Sequence, residues 1–157
     1  MTEPLGHKPE IHRVLAHKIL CGHLHSRNRL MEWGITDLSR LQPAEARLMI
    51  LAMAAAAHAD GVLDQGERAV ILKALADCRI DREERLRLER AIELPPSAEA
   101  LLREVKSPEQ AARFYASSLA AVDKGRAVSR AYLAYVAVRL ALPVDQVVRL
   151  NRRQGLR

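Results

Sequence analysis

Aromatic side chains are scarce: one Phe, one Trp and three Tyr make up 3% of the 157 residues. Single-strand nucleic-acid binders lean on stacked aromatics, so that class has little to work with here. Cysteine is scarce too. Cys21 and Cys78 are the only two, which excludes a disulfide framework and fits a reducing compartment. No long hydrophobic run is present. The longest lies between Arg47 and His58, ten residues from Leu48 to Ala57, too short to span a bilayer. The first residues, MTEPLGHKPEIHR, contain no apolar signal-peptide segment, so the expected location is the cytoplasm. β-branched residues are sparse, and no Gly-rich phosphate loop, G-x-S-x-G or H-E-x-x-H occurs. Nothing assembles a nucleophile, a base and an oxyanion site, so a non-enzymatic protein is expected.

What fills the chain is alanine and leucine. Apolar residues reach 49%, dominated by the best helix formers. A chain of this length can bury roughly 70% of its unfolded surface without a disulfide or a metal. The expected fold is all-α, a compact bundle of about seven helices built from two helix hairpins. The expected domains are a histidine-rich helical arm over residues 1–40, a helical domain over 41–152 and a basic tail over 153–157.

The net charge of +6 is uneven. Residues 41–123 carry a net −3, and residues 124–157 a net +7. The basic end carries Arg126, Arg130, Arg139, Arg149, Arg152, Arg153 and Arg157. Such a segment suits an acidic protein partner or an anionic membrane surface; with aromatics scarce there, nucleic acid is not an expected partner.

Start and stop signals divide the chain. Pro43 fits the first turn of a helix whose centre, Leu48 to Ala57, is apolar on every side, the pattern of a helix buried in a bundle. The next helix, from about Asp64, should turn Val70, Ile71, Ala74, Leu75 and Cys78 inward. Asp81 with Glu84 reads as a capping box, and Leu86 and Ile92 as the anchors of the helix it starts. Ser97 and Ser107 open two further helices, the second with Pro108 and Gln110 and an inner face of Ala111, Phe114, Tyr115, Leu119 and Val122. AAAHADGVLDQGERAVILKAL echoes SLAAVDKGRAVSRAYLAYVA: a small-residue helix, an Asp, a short turn and a second apolar helix.

HADGVLDQGE, residues 58–67, concentrates three acids. Gly61 suits the left-handed position that ends a helix. Asp64 and Glu67 have capping-box spacing and need no ligand to explain them. Asp60 does need a counter-charge, because it sits at the negative end of a helix dipole. A hard divalent cation held by Asp60, Asp64 and Glu67 would supply it. So would Arg126 or Arg130, if the two hairpins face one another.

ADGVLDQGERAVI resembles the signature of the TerB-like family of bacterial tellurite-resistance proteins, and looks closest to its YebE-like branch of unknown function. SPEQAARFYASSLAAVD and SRAYLAYVAVRLAL resemble the family's second half, so the likeness covers roughly residues 43–150. It implies a helical bundle, a stress-associated role, protein partners, and two neighbouring acidic loops that bind one divalent cation such as calcium, magnesium or manganese. By that resemblance Asp60, Asp64 and Glu67 form the first acidic set and Asp123 belongs to the second. Gly125 and Ser129 stand where relatives carry acids, and Lys124 and Arg126 add positive charge. An interaction scaffold with a vestigial metal site is therefore the competing expectation. His17, Cys21 and His25 form a stripe on one helix face; three such ligands span about 12 Å along the axis, too far for one ion.

Overall fold

The computed structural model describes residues 37–156, within a compact unit that begins at Ile35. The stripe of His17, Cys21 and His25, and most of the expected N-terminal arm, lie outside the described residues. Among those described there are seven α-helices and no strand. They are α1 Pro43–Ala57, α2 Gln65–Asp77, α3 Arg82–Glu93, α4 Ala98–Glu104, α5 Pro108–Ala121, α6 Ala127–Arg139 and α7 Val144–Arg153. Two 3-10 turns, Leu38–Arg40 and His58–Asp60, precede and follow α1.

Helix α1 occupies the centre. Eleven of its fifteen residues are buried, including every one from Leu48 to Ala57, so neighbours must cover it on all sides. Helices α2, α3, α4, α5 and α6 do so, α5 most extensively. Small residues make that pairing close. Ala52, Ala54, Ala112 and Ala116 are fully buried, and the Ser118 hydroxyl reaches the Ala52 carbonyl at 3.5 Å while donating to Phe114 O at 2.9 Å. Near the helix starts Arg113 of α5 pairs with Glu45 of α1 at 2.6 Å. Contacts of Glu45 with Arg113 and of Ala52 with Ser118 keep nearly constant sequence separation, so α1 and α5 run parallel. The hairpins α1–α2 and α5–α6 thus pack through their first arms with both turns at one end, which is the structural meaning of the sequence echo.

Local chemistry sets the boundaries. Asp81, Ser97 and Ser107 accept from the backbone N–H groups of Glu84, Ala100 and Gln110 respectively. The Gln110 side chain reaches back to Lys106 N at 2.8 Å, one residue before the cap. Glu84 does not close a box with Asp81; its carboxylate faces Arg47 and Arg87 instead. Arg85 donates to Leu75 O and Cys78 O, neutralising the carbonyl end of α2. Helix α7 is tied onto α5 by Tyr115 Oη to Asn151 Oδ1 at 2.8 Å and Gln154 Nε2 to Ala116 O at 3.0 Å.

The inner faces differ from expectation at two positions. Leu86 is 46% exposed, and Leu88 with Ile92 anchors α3, because only the i, i+4 pair of this helix faces α1. Val70 is also exposed, while Ile71, Leu75 and Cys78 are buried. The inner face of α5 is as read, with Ala111, Phe114, Tyr115, Leu119 and Val122 all buried.

These contacts predict a graded mutational response. Ala116→Leu should cost about 1–3 kcal/mol by overpacking the α1–α5 contact. Ile71→Ala should cost about 2–5 kcal/mol. Leu86→Ala should stay within about 0.5 kcal/mol. Urea midpoints of the three variants check the order.

Candidate functional site

The acidic segment begins where α1 tightens into the 3-10 turn His58–Asp60. Gly61, at φ +90°, reverses the chain in a conformation that disfavours any side chain, and its N–H bonds to His58 O at 2.9 Å. His58 Nε2 lies 2.9 Å from Ile92 O, which pins the turn to the end of α3. His58 is therefore a tether, and it orients no carboxylate.

Each acid of the segment has a structural assignment. Asp64 Oδ1 accepts from Glu67 N at 2.8 Å, and Glu67 Oε2 accepts from Asp64 N at 3.2 Å, completing the capping box of α2. Asp60 Oδ1 accepts from Val62 N at 3.1 Å. Its other oxygen, Oδ2, is paired with Arg126 Nη1. Arg126 is the N-cap residue of α6, so this ion pair joins the turn of the first hairpin to the turn of the second. The Asp60 side chain is only 11% exposed, and the guanidinium supplies the counter-charge that the negative end of α1 requires.

The second turn is organised by Asp123. Its Oδ1 accepts from Gly125 N at 2.9 Å, and its carbonyl accepts from Arg126 N at 3.2 Å. A Cβ on Gly125 would stand 3.2 Å from that carboxylate oxygen, so the closeness of this loop favours glycine. Lys124 turns away and donates to Gln154 O. Arg130 Nη1 reaches Gly125 O at 3.4 Å, bracing the turn rather than Asp60.

Glu67 is the buried member of the set, 7% exposed. Burial pushes its carboxyl above the ordinary 4.5, and the charges of Asp64 and Asp60 add to that. The backbone N–H groups of Asp64 and Asp123 act in the opposite direction. Glu67 of the first loop thus lies near the backbone of Asp123 in the second.

Asp60, Asp64, Glu67 and Asp123 therefore share one end of the bundle, but their oxygens face backbone amides and one guanidinium. Among the described residues no three His, Cys, Asp or Glu side chains are grouped to hold an ion. The donor set does not fit a hard divalent cation, which takes six to eight oxygens. Cys78 is buried and donates to Ala74 O, with its thiol pushed up by burial.

A family model described as "Protein of unknown function (DUF533)" matches residues 26–154. The chain belongs to the DUF533 family. This is a TerB-like family. An "Uncharacterized protein in ampR 5'region" of Yersinia enterocolitica is 26% identical over 108 residues, covering 68% of this chain and 78% of that one. No solved structure matches. No helix among the described residues of this DUF533 chain is long and apolar enough to cross a membrane.

Two titrations with opposite sign follow. Glu67 is raised in the fold, so its contribution to stability is complete below about 4.5 and is lost as pH rises through its elevated folded value. Glu99 is lowered by hydrogen bonds from Arg139 and Tyr135, so its contribution is present above its ordinary value and is lost as pH falls. Glu67→Gln should remove the loss of stability just above pH 4.5 and leave the acid limb unchanged, measured as urea midpoints against pH. Asp64→Ala should cost about 1 kcal/mol through loss of the cap, read from the same urea midpoints.

Proposed function

We propose that this chain is a non-catalytic TerB-like interaction scaffold, of the YebE-like kind, in which an arginine takes the place of a loop-bound cation. The observation that carries the proposal is the Arg126–Asp60 pair. It neutralises the charge of Asp60 through the oxygen that the Val62 amide leaves free, and it cross-links the two hairpin turns as a shared ion would. Val138 and Val144, 78% and 80% exposed at the α6–α7 corner, add apolar surface of the kind that protein partners cover.

Binding of the basic end to phosphate is less favoured. Arg126, Arg139 and Arg149 are engaged by Asp60, Glu99 and Asp145, which removes much of the free charge that counter-ion release requires. The same pairs weaken the membrane-surface reading. A stress-associated role follows from the resemblance, and the scaffold reading is compatible with it.

The second reading, a divalent-cation module at Asp60, Asp64, Glu67 and Asp123, is separated by thermal melts. An ion at a hundred times its dissociation constant adds about 2.7 kcal/mol, a shift of several degrees for a chain of this size. The scaffold reading expects the same melting temperature in chelator and in millimolar calcium, magnesium or manganese. It also expects Arg126→Ala to cost about 1–2 kcal/mol, between the values of exposed and buried pairs. A cation-dependent rise that vanishes in Asp60→Asn would replace it with the metal reading.

A further inference from the structure

Helices α1 and α6 share a residue pattern but not an environment. From Ala127 to Leu142 the only charged residues are Arg130 and Arg139, so α6, like α1, is apolar around most of its circumference. A helix of that kind is normally covered on all sides. α1 buries eleven of its fifteen residues, but α6 buries only Ser129, Leu133 and Val136 of its thirteen. Those three lie on one narrow arc, at i, i+4 and i+7, and face the bundle. The opposite half of the helix presents Ala127, Val128, Ala131, Ala134, Tyr135 and Val138, all exposed and none charged.

Tyr135 is held in place on that face. Its hydroxyl donates to Glu99 Oε2 at 3.0 Å and accepts from Arg139 Nη1 at 3.1 Å, and the Arg139 guanidinium lies 5.8 Å from the ring centroid. Glu99 belongs to α4, so the side chain is fixed from two helices while it stays 42% exposed. An aromatic ordered in advance loses little conformational freedom on contact, and tyrosine is enriched among the residues that dominate interfaces. Glu99 also pairs with Arg139, so that arginine is neutralised within its own chain. The chain carries a net +6, and two copies repel over much of their surface. The centre of the α6 face is free of that repulsion.

We propose that this face is the contact of a symmetric dimer, in which α6 of a second copy of this chain packs antiparallel against it. Identical faces that meet about a twofold axis must each complement themselves. This one does. An axis level with Ala134 and Tyr135 sets Val138 of each copy against Ala131 of the other, a large side chain over a small one. The same axis brings the two Tyr135 rings together on one flank and the two Ala134 methyls on the other. Arg130 and Arg139 project from opposite flanks, so neither meets its like across the axis. A parallel pairing would oppose Val138 to Val138 and Ala131 to Ala131, crowding one level and leaving a gap at the other. A face about 20 Å long buries less than the roughly 800 Å² per partner of a standard interface, so the dimer is reversible. The inference rests on the scaffold reading, to which it gives a first partner. Cation melts probe the Asp60 turn and self-association probes α6, so each can fail alone.

The test is sedimentation velocity of the full chain across micromolar concentrations up to about 1 mM. A reversible shift from monomer to dimer is expected. Val138→Glu changes a side chain that is exposed in the single chain, so its far-UV circular dichroism and melting temperature at low concentration should match the parent. In the dimer it buries an unpaired carboxylate, and association should weaken by more than about tenfold. Leu86→Glu alters an exposed leucine of α3 and should leave association as it is. Adding Ala131→Lys to Val138→Glu sets a lysine against the glutamate of the other copy at both levels, and should restore the dimer. A chain that stays monomeric at every concentration overturns the proposal. So does a dimer that survives Val138→Glu, or one that Leu86→Glu also dissolves. A double variant that remains monomeric overturns the antiparallel twofold.

Discussion

Ten consecutive apolar residues, Leu48 to Ala57, wind through nearly three turns of helix and leave no side that water can cover. The rest of the bundle answers that constraint. Five helices surround α1, and the alanines on α1 and α5 let their backbones approach until a serine hydroxyl of one reaches a carbonyl of the other. Close approach between small residues gains dispersion contact over a long interface without large side chains. That is how a chain with five aromatic residues builds a dense core. Two of the five, Phe114 and Tyr115, sit side by side on α5 and are both buried.

Parallel packing of α1 and α5 places both hairpin turns at one end, and electrostatics there follow from that placement. Asp60 sits at the negative pole of α1 with limited access to water. Without a compensating charge it would oppose the burial of α1 next to it. Arg126 supplies the charge from the opposite turn. A divalent ion and a guanidinium can both join two acidic loops, but their demands differ. The ion needs several converging oxygens, while the guanidinium needs one carboxylate within reach of a flexible stem. Around Asp123 the chain has Lys124, Gly125 and Arg126 and no further acid, and Arg126 meets the second demand.

Much of this was legible in the residue pattern because the information is local. Gly61 at its left-handed position, the Asp64–Glu67 capping box, the caps at Asp81, Ser97 and Ser107, and the inner face of α5 all depend on groups within four residues of one another. The misreadings have a common origin. Leu86 and Val70 are apolar and at helical spacing, yet which neighbouring residue faces inward depends on how the helix is rotated against α1. Glu84 has box spacing with Asp81, but arginines at 47 and 87 compete for it, and Arg47 arrives only through tertiary packing.

The sequence by itself determined the helical class, the order of the elements and the set of acids at the two turns, since propensity, capping and apolar periodicity act over a few residues. Tertiary structure alone decided which charge Asp60 receives. Two arginines, Arg126 and Arg130, were equally available along the chain, and the parallel docking of the hairpins brings the first to the carboxylate and turns the second to a backbone carbonyl. It also decided that the four acids would be held by amides and a guanidinium, because lone pairs are claimed by whichever donors the packing brings within about 3 Å.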